Sequence, residues 1–102
     1  MASTEKAVVL HSKDNVATAL ADLEAGESLE VEQESHTVTV SLRVRIPFGH
    51  KFSLSQIKKG APVMKYGEAI GVATVDINQG DYVHVHNVAS ARGSGAAPGG
   101  AR

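Results

Sequence analysis

Residues 36–46 read His36-Thr37-Val38-Thr39-Val40-Ser41-Leu42-Arg43-Val44-Arg45-Ile46. Val38, Val40, Leu42, Val44 and Ile46 fall at every second position, with Thr, Ser and Arg between them. Successive side chains of a strand point to opposite faces, so this alternation predicts one half-buried strand over 36–46. Pro47 has no N–H to give to a ladder and ends it. Upstream, Leu29 and Val31 alternate with Glu30 and Glu32. A second strand is expected there, with residues 33–35 as the hairpin turn between the two.

The rest of the chain is read outward from this hairpin. Residues 7–10 form a short apolar run that fits a first strand. Val16, Leu20 and Leu23 are spaced four and three apart, which predicts a short helix over 14–23 with Asp14 as N-cap and Gly26 as its stop. Residues 48–51 read as a loop. Short strands are expected over 63–66, 69–74 and 82–87. The fold class is therefore mainly β with one short helix, in a single domain at 6–88. Residues 1–5 are expected to be a flexible N-terminus. Residues 89–102, ASARGSGAAPGGAR, are mostly Gly, Ala, Ser and Pro, which cannot build a core, and a flexible tail is expected.

A weak repeat runs through the chain. Leu23-Glu24-Ala25-Gly26-Glu27-Ser28-Leu29, Ile57-Lys58-Lys59-Gly60-Ala61-Pro62-Val63 and Ile77-Asn78-Gln79-Gly80-Asp81-Tyr82-Val83 share one pattern. An aliphatic residue is followed three positions later by Gly and three further on by another aliphatic. The offsets are unequal, so this is no solenoid. Each copy reads as a turn through a left-handed Gly that opens into a strand.

Composition sets the limits. The chain has 102 residues, 42% hydrophobic and 21% charged, which suits one globular domain. With no Trp, two Phe and two Tyr, the core must be aliphatic. The absence of Cys excludes disulfides, thiolate metal sites and a Cys nucleophile. No apolar run is long enough to span a membrane, and no signal peptide is expected at the N-terminus, so a cytoplasmic protein is the default. The net charge of −1 argues against nucleic acid as a partner. Yet the charges are segregated: residues 22–34 hold six acids and no base, and 43–65 hold six bases and no acid. These blocks either pair within the fold or leave a basic surface for a small anion.

Five histidines stand out. His84 and His86, read on one strand, would share a face and could converge on a divalent ion, or they could be two solvated imidazoles. His50 and Lys51 follow Pro47 and Gly49; they read either as a polar turn or as a proton carrier beside a counter-charge for a carboxylate. His11 follows the first strand and His36 sits at the hairpin. Phosphate-binding glycine loops, GxSxG, HExxH and dinucleotide fingerprints are absent.

The strings LHSKDNVATALADLEAGE and IPFGHKFSLSQIKKGAPVMKYGEAIGVATVDINQGDYVHVHN resemble the N-terminal domain of the altronate dehydratase family. Relatives of that family include galactarate dehydratase and sulfolactate sulfo-lyase. The resemblance spans residues 8–88. It implies an SAF-like β-clip domain, related to the antifreeze-like domain of sialic acid synthases. It also implies a separately encoded small subunit that works with a large catalytic subunit. The implied reaction is β-elimination from a 2-hydroxy acid, aided by a divalent metal, Fe2+ or Mn2+, shared with the large chain. On that reading His84 and His86 are the metal contacts, His50 and Lys51 the catalytic pair, and His11 and Lys51 substrate contacts. Sugar acids rank first as substrates. The alternatives are a sulfolactate sulfo-lyase alpha subunit or a non-catalytic module that binds a small anion or a partner protein.

Overall fold

A computed structural model describes residues 6–90. The order of elements is β1 (Ala7–Val8), β2 (Val16–Ala19), β3 (Ser28–Gln33), β4 (His36–Ser41), β5 (Lys51–Ser53), β6 (Pro62–Lys65), β7 (Glu68–Ala73), β8 (Tyr82–Val83) and β9 (Val88–Ser90). All pairings are antiparallel. One sheet has the order β1-β2-β5-β8, β3 and β4 form a hairpin, and β6-β7-β9 form a third sheet. This is the mainly β single domain the sequence implies.

The four-stranded sheet separates two cores. Ala17, Ala19 and Phe52 face the first core, with Leu29, Val31 and Val40 of the hairpin. Val16 and Val83 face the second, with Val63 of β6, Ala73 of β7, and Ile57 and Ile77. β2 is thus buried on both faces, which explains a correction. No helix forms over 14–23; the described residues contain none. The spacing of Val16, Leu20 and Leu23 joins residues from different places: Val16 in β2, Leu20 in an exposed bend, and Leu23 bridged to Ile46. A strand covered on both sides shows no alternation, so its apolar residues mimicked a helical stripe.

Asp14 is accordingly not a helix cap. Its buried carboxylate accepts hydrogen bonds from the Tyr66 and Gly67 N–H groups, at 3.2 and 2.8 Å. These two residues link β6 to β7 with φ of 61° and 77°, the left-handed pair of a tight hairpin turn. Asn15 completes the tie. Its amide donates to Pro62 O and its Oδ1 accepts the Met64 N–H, beside the bulge at Val63/Met64.

Gly26 turns the chain at φ 89° without ending any helix, and the turn it makes recurs. Gly49, Gly60 and Gly80 have φ of 84°, 88° and 87°. In each of the four turns the Gly N–H donates to a remote carbonyl (Leu42, Ala19, Ala73 and Ser53 respectively), and that same remote residue donates its own N–H to the carbonyl following the Gly. The aliphatic residues that open the turns bridge in pairs, Leu23 with Ile46 and Ile57 with Ile77. Side chains repeat too. Asp22 accepts the Phe48 N–H and Asp76 the Lys59 N–H, both at 2.8 Å. The three-fold pattern read in the sequence is therefore four-fold, the extra copy being Ile46-Pro47-Phe48-Gly49-His50-Lys51-Phe52.

Other boundaries shift. β4 stops at Ser41, and residues 42–46 leave the ladder to reach the Leu23 bridge. Lys51 opens β5 and is no loop residue. β8 ends at Val83, so 84–87 form a turn. β9 takes in Ala89 and Ser90, which pair with Val72 and Gly71 and so do not belong to a tail. The expected flexible segments at 1–5 and 91–102 lie outside the described residues.

Candidate functional site

The site grows from the Gly49 turn. The turn delivers His50 to the start of β5, where the Ala19 N–H donates to its carbonyl at 2.8 Å. β5 pairs with β8, setting Phe52 opposite Tyr82 and Lys51 opposite Val83. Tyr82 Oη and His50 Nδ1 lie 2.7 Å apart. The His84 ring stacks on the Tyr82 ring, with centroids 5.5 Å apart and planes 5° from parallel. It also lies 5.0 Å from the His50 ring. His86 packs at 5.6 Å on Tyr82, tilted 45°.

The structure thus gathers His50, His84 and His86 around Tyr82, a residue the sequence reading passed over. Its only signal was its place in the last copy of the repeat. The strand assumed for His84 and His86 is corrected: they sit in a turn closed by Asn87. Asn87 Oδ1 accepts the His84 N–H at 3.0 Å, and Asn87 Nδ2 donates to Tyr82 O at 2.8 Å. Buried Asn87 therefore fixes where the His84 imidazole and the Tyr82 ring start.

Lys51 is half-buried and lines a pocket of about 210 Å³ with Ile70, His84, Val85, Val88 and Ser90. Burial first, and the nearby Lys65 ammonium second, hold its pKa below the ordinary lysine value. Among the described residues neither Lys51 nor Lys65 has a carboxylate within 4.0 Å. The charge blocks meet only in part: Arg45 of the basic block lies against the acidic block, while Arg43 finds its partner outside it. Arg43 pairs with Asp81, and Arg45 reaches Asp22 and Glu24. Lys51 and Lys65 are left to create a positive potential at the pocket.

His11 is not part of this cluster. It lines a separate cleft with Val9, Leu10, Ser12, Glu32, Gln33 and Glu34. Its Nδ1 accepts the Lys13 N–H, and its ring lies so close to Gly67 that a Cβ there would stand 2.8 Å from Cδ2. His36 is exposed at the end of the hairpin.

The donor set can be tested against a metal. Among the described residues no three His, Asp or Glu side chains converge in a way that could hold one. His84 and His86 are at most two ligands, and both already pack on Tyr82. A metal centre held by the described residues alone does not fit.

A small module of strands and paired glycine turns, carrying an imidazole–tyrosine cluster beside an unpaired lysine, is the class of domain these features define. Residues 5–91 match the altronate/galactarate dehydratase SAF domain, and the chain belongs to that family. It is 49% identical over 80 residues to altronate dehydratase of Escherichia coli, covering 78% of this chain and 15% of that one. Identity to altronate dehydratase of Bacillus subtilis is 39% over the same shares. Identity to the (2R)-sulfolactate sulfo-lyase subunit alpha of Chromohalobacter salexigens is 33% over 88 residues, 82% of this chain and 94% of that subunit. The chain thus spans about 15% of the length of the altronate dehydratases but nearly all of the sulfo-lyase subunit.

Proposed function

We propose that this chain is the small component of a lyase that eliminates water from a 2-hydroxy sugar acid together with a large chain of the same family. The observation that carries the reading is the unpaired, half-buried Lys51 at a pocket that also holds His84, in a domain 49% identical to part of an altronate dehydratase. The ammonium of Lys51 binds the substrate carboxylate, and the surrounding apolar Ile70 and Val88 strengthen that attraction by excluding water. His50 is the proton carrier. It takes the proton from the carbon next to the carboxylate as the C–H pair becomes a C=C bond. The hydroxyl on the adjacent carbon departs and leaves as water once protonated. A pocket of this size is too open to complete such chemistry, so a large partner closes it.

The divalent metal implied by the resemblance, Fe2+ or Mn2+, is assigned to the partner's side of the interface, with His84 and His86 contributing at most two imidazoles. Its chemistry there would be Lewis-acid stabilisation of the carboxylate and hydroxyl oxygens. His11 has no part in this reading, because it lines a separate cleft and its ring lies against Gly67. Such an enzyme acts in the cytoplasm, where sugar acids are consumed.

A second reading has its own support. The near-complete coverage of a sulfo-lyase alpha subunit fits a chain that works as a separate small subunit, with sulfite as the leaving group. One experiment separates the two. The chain is purified with its co-purifying partner, and the complex is given altronate, galactarate and (2R)-sulfolactate in turn. Formation of a 2-keto-3-deoxy acid supports the first reading, and sulfite release the second. A chain that brings down no large dehydratase-type partner and turns over nothing sinks both.

A further inference from the structure

We infer that Tyr82 is a positioning residue for His50: its hydroxyl holds Nδ1 so that Nε2 alone meets a reactant. This rests on the reading of His50 as proton carrier. The 2.7 Å contact between Tyr82 Oη and His50 Nδ1 is its basis.

A hydroxyl both donates and accepts, whereas a carboxylate only accepts and an ammonium only donates. When Nδ1 bears a proton, Tyr82 accepts it. When Nδ1 is bare, Tyr82 donates. His50 can therefore gain or lose a proton at Nε2 without breaking its tie. An ionised carboxylate, the usual orienter of a histidine, would place a negative charge beside a pocket meant for an anion. Among the described residues no carboxylate lies within ion-pair distance of His50. The titratable groups around it are Tyr82, His84 and, next in the chain, Lys51; His86 lies against Tyr82 and Lys65 acts on Lys51.

Both partners are held firmly. The Ala19 N–H fixes the His50 backbone, and Phe52 fixes that of Tyr82. The parallel His84 ring stops Tyr82 from rotating away.

The test is the nitrogen NMR of the His50 ring in the full chain, native and Tyr82→Phe, at a pH where the ring is neutral. Phe keeps the ring and its stacking. The native chain is expected to show an Nδ1 resonance displaced by a hydrogen bond, and Tyr82→Phe to lose that displacement while Nε2 is unmoved. The same Nδ1 resonance in both would overturn the inference. Should Tyr82→Phe fail to fold, His50→Ala serves instead: the resonance of the Tyr82 ring carbon that bears the hydroxyl must then move from its value in the native chain, and an unchanged resonance overturns the inference. In the reconstituted complex Tyr82→Phe should lower kcat about tenfold or more and leave KM nearly unchanged, because general acid–base catalysis contributes roughly a hundredfold or more. Full activity of His50→Ala in that complex would sink the role of His50 and leave the Nδ1 hydrogen-bond result intact, so the two failures are separable.

Discussion

Lys51 carries a charge that the fold resists. Its lowered pKa means that the unfolded chain holds this proton more tightly than the native one. Stability therefore rises with pH between the lowered native value and the ordinary 10.5, and the cost is present in full below that window. Lys51→Met is expected to stabilise the free chain at neutral pH and to flatten the alkaline rise, as read by urea unfolding across pH. In the complex the same variant should raise KM roughly ten- to hundredfold, the worth of a charge-assisted hydrogen bond. A destabilised Lys51→Met with unaltered KM would show that the lysine is a packing residue. Asp14 presents the opposite case. It is buried because it holds Tyr66 at a positive φ, a conformation that costs a non-glycine residue about 1–2 kcal/mol. Asp14→Ala should lose about 1–3 kcal/mol in urea unfolding, since the Tyr66 and Gly67 N–H groups lose their acceptor.

At the scale of elements, the glycine turns differ in what surrounds them. Gly60 has open space where a Cβ would go, while at Gly80 a Cβ would collide with Ser41 O. Gly60→Ala should therefore cost only the backbone strain, about 1–2 kcal/mol. Gly80→Ala should cost more, because two segments of backbone must part; thermal unfolding of the pair checks the order. The elements also show what was readable in advance. The hairpin of β3 and β4 was legible because one face meets core and the other water, so alternation marks it. β2 was misread because both its faces are covered. His50 and Lys51 were legible as a polar pair after a glycine. Tyr82 was not, since its meeting with His50 depends on β5 pairing with a strand far along the chain, and no local pattern encodes that register. Asp14 and the turn at Tyr66 and Gly67 lie far apart in the chain, and only the fold shows that one braces the other.

For the whole molecule, the decisive fact is that the two cores share one sheet. Phe52 serves the first and Val83 the second, from neighbouring strands. Unfolding should be a single transition, with Phe52→Ala and Ile77→Ala each costing roughly 2–5 kcal/mol although they lie in different cores. Two transitions in calorimetry would show that the cores melt independently. The exposed ion pairs of Arg43, Arg45 and Lys6 contribute little, for such pairs are worth about 0–1 kcal/mol. A chain cut after residue 80 would lose β8 and β9 and is expected to give the spectrum of an unfolded protein.

The order of strands in the central sheet has a consequence for biosynthesis. β5 leaves the ribosome long before β8, its partner on one side. Until β8 arrives, His50 has no hydroxyl to meet and Lys51 no His84 beside it. The nascent chain can stack its hairpin early, but it cannot display a working surface until its final strands are translated. On the function proposed above, docking through this surface would then wait for the finished chain, and a half-made one could not be captured prematurely.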